Sequence, residues 1–166
     1  MNIRSINESD SEEFLLLSKM LDQETKFMMF EPGERTTTVD EQRQRIKNVL
    51  SHDNQMIFVA EHENRLVGFL GAFGESFQRN HHCAYIVMGI LQAYVGQGLG
   101  SQFFKVLEEW AIKHNIHRLA LTVMCHNERA INLYRKMGYQ TEGVKQDSLW
   151  VNGKYVSEYY MAKLLR

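Results

Sequence analysis

The sequence has few of the features that mark a secreted protein or a nucleic-acid-binding protein. It has only 2 cysteines, Cys83 and Cys125, which lie in apolar, strand-like runs with no signal peptide before them. This pattern predicts a reducing, cytoplasmic environment. The formal net charge is −1, from 19 Lys and Arg residues against 20 Asp and Glu residues. Because no basic stripe accompanies this balance, nucleic-acid binding is disfavoured as the main function.

Long apolar runs and the usual spacings of metal ligands are also missing. No segment has the roughly 20 consecutive apolar residues that a membrane-spanning helix needs, so no membrane association is expected. His81, His82, Cys83, Cys125 and His126 could suggest zinc, but no C-x-x-C or H-E-x-x-H spacing is present. The sequence therefore predicts no metal site.

Repeats and linkers are absent, and the chain has a single proline, Pro32. The 166 residues are 44% hydrophobic, which is enough for a packed core. We therefore expect residues 1–166 to form one domain, and a homodimer is left open as an alternative to a monomer.

Apolar periodicity gives the expected order of elements. Strands are predicted at residues 2–6, 56–61, 65–72, 84–90, 118–124, 139–146 and 154–164. Helices are predicted through residue 21, over 40–50, from about 101 to 113 and over 127–137. Hairpin turns are expected at His62-Glu63-Asn64 and at Asn152-Gly153. Strands that precede a strand–helix–strand unit predict an α/β (α+β) fold.

Three glycines at alternate positions, Gly96, Gly98 and Gly100, stand between a predicted strand and a predicted helix. Alternate glycines let backbone N–H groups approach a ligand, and the helix N-terminus adds unpaired amides and a positive dipole end. This pattern indicates a pyrophosphate site, although glycine clusters also make ordinary turns. A dinucleotide pattern G-x-G-x-x-G fails at Ser101, and a Walker A loop would need Gly-Lys-Ser/Thr, which is absent.

Two segments together resemble the GNAT family of N-acetyltransferases. Val95-Gly96-Gln97-Gly98-Leu99-Gly100 is similar to the family's Q/R-x-x-G-x-G/A motif. Residues 127–139, NERAINLYRKMGY, are similar to its N-x-x-A-x-x-L-Y-x-K-x-G-F/Y segment. The resemblance implies the GNAT fold, a mixed central sheet of about seven strands with a splayed parallel pair and about four helices. Residues 7–55, where such enzymes differ in substrate, match by layout alone.

The resemblance also implies a reaction and its co-substrate. An acetyl group would pass from acetyl-coenzyme A (acetyl-CoA) to a primary amine: a small amine, an antibiotic, or an amino group of a protein or peptide. The implied cofactor-binding residues are Met88, Ile90, Val95, Gly96, Gln97, Gly98, Gly100, Ser101 and Asn127. Val95 stands where the family usually has Arg or Gln, and we expect its backbone N–H to bind phosphate all the same. The alternative is a non-catalytic domain that binds or senses coenzyme A.

The implied chemistry needs an acid and a base. Tyr134 occupies the position of the family's general acid, which would protonate the departing thiolate. It also lies on an apolar helix stripe, so burial in the core is the alternative interpretation. Glu75 is the favoured base for the amine proton, and the alternatives are His81, His82, Glu31 and Glu34. Each of these five side chains could also be merely solvated.

The segment Glu24–Thr38 borders the acceptor side in this family layout, and the Asn152-Gly153 hairpin would form the opposite wall. Phe27, Met29 and Phe30 would hold the alkyl body of the acceptor. Glu31 and Glu34 would attract its ammonium group. The other interpretation is that the same residues only attach a loop to the core.

Overall fold

A computed structural model describes residues Met1–Arg166 and contains seven strands and four helices. The strands are β1 (Asn2–Ser5), β2 (Gln55–His62), β3 (Arg65–Gly74), β4 (Cys83–Ile90), β5 (Arg118–Met124), β6 (Gln140–Val151) and β7 (Lys154–Leu164). The helices are α1 (Ser11–Glu24), α2 (Val39–Leu50), α3 (Leu99–Lys113) and α4 (Glu128–Lys136). The strands form one sheet in the order β1-β2-β3-β4-β5-β7-β6, which confirms the predicted mixed sheet.

The helices cover opposite faces of the sheet. On one face, the rings of Phe14 in α1 and Phe69 in β3 lie 5.3 Å apart, edge to face. On the other face, a Cβ at Gly68 would lie 3.4 Å from the ring of Phe103 in α3. Helix α4 packs on α3, because the ring of Tyr134 lies 5.7 Å from that of Phe104. The α1–α2 layer and the α3–α4 layer therefore enclose the sheet between them.

Local hydrogen bonds set several boundaries that the sequence placed a few residues away. Helix α2 starts at Val39 because Thr38 caps it, with the Glu41 N–H donating to Thr38 Oγ1 at 3.1 Å. Asn127, predicted inside the last helix, instead caps α4 by accepting from the Ala130 N–H at 3.4 Å. Strand β6 extends to Val151 because it pairs with β7 up to the Asn152-Gly153 turn.

The only parallel pair in the sheet, β4 with β5, separates soon after it begins. Pairing covers Cys83–Tyr85 of β4 and Arg118–Ala120 of β5 and stops there. Beyond that point β4 remains paired with β3 as far as Ile90, and β5 remains paired with β7 as far as Met124. The two strands therefore diverge, and a V-shaped opening forms between their carboxyl ends.

No helix in the structure combines the length and the apolarity needed to cross a membrane.

Candidate active site

The opening between β4 and β5 leads into a cavity of about 890 Å³. Of its 40 lining residues, 25 are hydrophobic. The charged ones are Arg35, Arg45, Arg129 and Glu158. A largely apolar cleft with a few polar groups is typical of a small-molecule site. The cavity reaches both helix layers, since α1, α2, α3 and α4 all contribute lining residues.

The glycine turn lies at one end of this cavity and presents unpaired backbone donors. Gly96 and Gly98 both have φ of +81°, in the left-handed region that glycine tolerates best. The six consecutive N–H groups of residues 96–101 donate no hydrogen bond within the protein. The first amide with an acceptor is that of Gln102, which donates to the Gly98 carbonyl at 3.1 Å. A run of free donors at a helix N-terminus is a site for phosphate.

Two residues of this turn have roles that the sequence did not indicate. The Val95 N–H donates to the Gln92 carbonyl at 3.3 Å, so the expectation that this amide binds phosphate is corrected. At Gly100, a Cβ would lie 2.7 Å from Cδ2 of Leu133. Glycine at this position therefore lets α4 approach α3, while the Gly100 amide is free because it belongs to the first turn of α3.

The edge of β4 supplies further donors to the opening. The Leu91 N–H points to β3, because it donates to the Val67 carbonyl at 2.9 Å. Backbone N–H groups alternate in direction along a strand, so those of Met88 and Ile90 face β5, across the opening. Both residues line the cavity, as does Asn127 beyond the end of β5. The predicted backbone donors and the glycine turn thus border one cavity.

Tyr134 enters the cavity from α4. Its side chain is 9% exposed, packs against Phe104 and Tyr139, and makes no hydrogen bond. Burial, with a smaller contribution from the nearby Tyr85, raises the pKa of Tyr134 to about 12. The phenol therefore stays protonated at neutral pH. Tyr134 is buried, as the core interpretation predicts, and it also lines the cavity, so its role as general acid stays a prediction.

The structure places the carboxylates chosen from the sequence outside the cavity. Glu75, the favoured base, is exposed just beyond the end of β3 and is absent from the lining. Glu31 and Glu34 are exposed as well, and neither lines the cavity. His81 lies 3.2 Å from Asp53 at the far end of the sheet, also outside the cavity. Their positions come from turns that direct polar side chains to solvent.

Phe30, in contrast, lines the cavity, because its loop is attached to α1. Arg35 donates two hydrogen bonds to the buried Asp22 carboxylate, at 2.7 and 3.0 Å. The same guanidinium lies 4.4 Å from the centre of the Phe30 ring. Phe27, Met28 and Met29 also line the cavity. The loop is thus attached to the core and forms an apolar wall at the same time.

The sequence did not identify the polar groups on the α1–α2 side of the opening. The Tyr85 hydroxyl lies 2.6 Å from Thr122 Oγ1, across the start of the divergence. Glu158 in β7 is 6% exposed and is the only acidic residue in the lining. The one sequence signal for it was an acidic residue within the mostly apolar run of a predicted strand.

Comparisons with known proteins agree with this architecture. Residues 18–139 match the model of the Acetyltransferase (GNAT) family. The uncharacterized N-acetyltransferase YdgE of Bacillus subtilis is 29% identical over 87 residues, 52% of this chain and 55% of YdgE. Spermidine N(1)-acetyltransferase of Escherichia coli is 33% identical over 76 residues, 45% of this chain and 41% of that enzyme. The matches therefore span about half the length of these curated relatives.

A solved structure is similar over its whole length. The acetyltransferase of the GNAT family from Streptococcus pneumoniae has a TM-score of 0.95 at 28% identity, with 99% of each chain covered. The family match covers most of the chain and includes both motifs, the splayed strands and the glycine turn. The chain belongs to the GNAT acetyltransferase family.

Proposed function

We propose that this chain transfers an acetyl group from acetyl-CoA to a primary amine. The observation that carries the proposal is the run of six free N–H groups at residues 96–101, at the end of a cavity that Tyr134 also lines. These donors fit a pyrophosphate, and the apolar lining between β4 and β5 fits a pantetheine chain. Acetyl-CoA would supply the acetyl group as a thioester.

The residues around the opening can divide the remaining chemistry. The N–H groups of Met88 and Ile90 would donate to the acetyl carbonyl oxygen as negative charge develops on it. Tyr134 lines the cavity with a hydroxyl that makes no hydrogen bond in the protein, and it would donate its proton to the sulfur as the thiolate leaves. The wall of Phe27, Met28 and Phe30 would exclude water from the amine side.

The acceptor is proposed as a primary amine with an apolar body, because the amine side of the cavity is formed mainly by aromatic and methionine side chains. Cys83 and Cys125 are both free thiols, which supports the cytoplasmic location that we propose for this reaction.

Acetyl-CoA consumption tests the proposal. The protein is incubated with acetyl-CoA and one amine at a time: phenethylamine, spermidine, an amino acid, an aminoglycoside or a short peptide. Release of free coenzyme A thiol is followed, and the mass of the amine after the reaction is measured by mass spectrometry. We expect thiol release that depends on the amine, together with one added acetyl group. Thermal stabilisation by acetyl-CoA without acetylation of any amine would instead support the non-catalytic, coenzyme A-binding function.

A further inference from the structure

Glu158 is a buried carboxylate with one oxygen left free. Its Oε1 accepts a hydrogen bond from Ser148 Oγ at 2.7 Å and lies 3.9 Å from Lys145 Nζ. Its Oε2 accepts no hydrogen bond in the structure. Tyr139 Oη is the only fully enclosed polar side-chain atom without a partner, so Glu158 Oε2 is unpaired and still accessible. Buried carboxylates normally have their lone pairs satisfied, and an unpaired, reachable oxygen is a place for a ligand's donor.

The sheet register places Glu158 on the face opposite Tyr134. Tyr85 pairs with Ala120, and Thr122 lies two residues further along β5 on the same face, where it meets the Tyr85 hydroxyl. Glu158 pairs with Met124, the next residue of β5 on that face. This is the α1–α2 side of the sheet, whereas Tyr134 belongs to the α3–α4 layer. The opening between β4 and β5 thus has a phenol on one side and a carboxylate on the other.

Charge supports a cationic ligand for Glu158. Among the lining residues it is the only acid, and Lys145, its nearest cation, is exposed and lies outside the lining. Of the three arginines in the lining, Arg35 is paired with Asp22, and Arg45 and Arg129 are exposed to solvent, which screens their charge. A single buried negative charge within an apolar wall selects one positive group on an otherwise apolar molecule.

We propose that Glu158 binds the ammonium group of the acceptor amine and takes the proton that the nitrogen must lose before it attacks. This inference rests on the proposed acetyl transfer. The ammonium nitrogen gives one proton to Glu158 Oε2, and its lone pair then forms the bond to the acetyl carbon. The carbon–sulfur bond breaks and Tyr134 protonates the sulfur. The second nitrogen proton restores the Tyr134 phenol through solvent, and the proton on Glu158 passes to solvent. The products are the amide, free coenzyme A and one proton.

The test compares a cationic amine with a neutral one. Phenethylamine is protonated near neutral pH, whereas aniline is not, so only phenethylamine needs a carboxylate. Glu158→Gln keeps the size of the side chain and its ability to accept from Ser148. Asp147→Asn is the matched control, because Asp147 is an exposed carboxylate of β6 outside the lining. Calorimetric titration with phenethylammonium chloride measures binding apart from turnover.

We expect Glu158→Gln to lower kcat/KM for phenethylamine by about 30-fold or more, as expected when one partner of a buried charge pair is removed. Phenethylammonium binding should weaken in parallel, while kcat/KM for aniline, the KM for acetyl-CoA and the melting temperature change little. Asp147→Asn should match the unaltered protein with both amines.

Failure of the proposed acetyl transfer and failure of the proposed role of Glu158 would give different results. If the unaltered protein released no thiol with any amine of the panel, the proposed acetyl transfer would be wrong. If it acetylated phenethylamine and Glu158→Gln did so equally well, or lost phenethylamine and aniline turnover to the same extent, the role of Glu158 would be wrong and the acetyl transfer would stand.

Discussion

The two sides of the opening between β4 and β5 are built from different parts of the chain. The proposed cofactor side presents main-chain N–H groups of β4 and of residues 96–101, which become available through left-handed glycines and an uncapped helix start. The proposed acceptor side presents side chains from α1, α2, the loop after α1, and β7. The first side has a fixed geometry that many sequences can adopt, whereas the second depends on which residues stand at scattered positions.

The largest effect is expected on the cofactor side. Gly98→Glu should abolish the rise in melting temperature with acetyl-CoA, because the new side chain brings negative charge and strain at φ +81° to the free donors. For the unaltered protein, acetyl-CoA at about 100 times its Kd should raise the melting temperature by roughly 5–10 °C in thermal scanning.

Gly33→Glu is the matched control for this substitution. Gly33 has φ of +82° and open space around its Cα, as Gly98 has, but it lies outside the cavity. Gly33→Glu should keep the full acetyl-CoA shift. If acetyl-CoA raised the melting temperature of Gly98→Glu as much as that of Gly33→Glu, the phosphates would bind elsewhere.

Tyr134 is the proposed general acid, and its neighbour Tyr139 provides a comparison. Tyr134→Phe should lower kcat by about 100-fold with the KM for acetyl-CoA unchanged, because a general acid is lost and little volume is removed. Tyr139 is fully buried outside the cavity, and its hydroxyl has no hydrogen-bond partner. Tyr139→Phe should therefore leave kcat unchanged and raise stability by about 1 kcal/mol. If Tyr134→Phe and Tyr139→Phe had the same kcat as the unaltered protein, both tyrosines would have only a structural role in the core.

The free energy of unfolding at alkaline pH should also depend on the phenols of Tyr134 and Tyr139. Burial raises the pKa of Tyr134 to about 12, above the usual value of 10.0, and raises that of Tyr139 further. Since the folded state holds these protons more tightly than the unfolded state, stability should fall as pH rises from about 10 towards 12. Tyr134→Phe should reduce that fall by on the order of 2 kcal/mol. The free energy of unfolding is measured by denaturant titration, and the difference between the two proteins at neutral pH is subtracted. An identical fall in the variant would mean that the phenol is solvated.

A smaller effect is expected where a side chain is added to the cofactor side. Val95→Arg should tighten coenzyme A by about 2-fold to 5-fold, since an exposed cation near phosphates contributes up to about 1 kcal/mol. Isothermal titration at low and high salt should show the gain fade as ions screen it. A gain that is independent of salt would point to packing rather than charge.

The same contrast explains what the sequence could predict. The glycines at 96, 98 and 100 and the segment 127–139 carry local signals, so the turn, α4 and the apolar helix face that includes Tyr134 were predicted from neighbouring residues. The role of Tyr134 as an acid came from the family resemblance and stays a prediction. Glu158 was missed because its position depends on β7 pairing with β5, more than 30 residues away in the chain. Glu75 was favoured for its closeness in sequence to β4, but the turn after β3 leaves it in solvent. Side chains that come together only through the pairing of distant strands produce no recognisable pattern among neighbouring residues of the sequence.

The smallest effect is expected from the two acceptor-side carboxylates that the sequence did suggest. Glu31 and Glu34 are exposed, so a Glu31→Gln, Glu34→Gln double variant removes only a long-range attraction through solvent. The KM for phenethylamine should therefore rise by less than about twofold, and the rise should vanish at about 0.5 M salt, where the Debye length is only a few ångström. Phe30→Ala, measured beside it, should raise the same KM further, because Phe30 lines the cavity and stacks with Arg35. If the double variant instead raised KM as much as Glu158→Gln does, the loop carboxylates would reach the amine. Acceptor recognition would then follow from a local sequence signal, just as the cofactor side does.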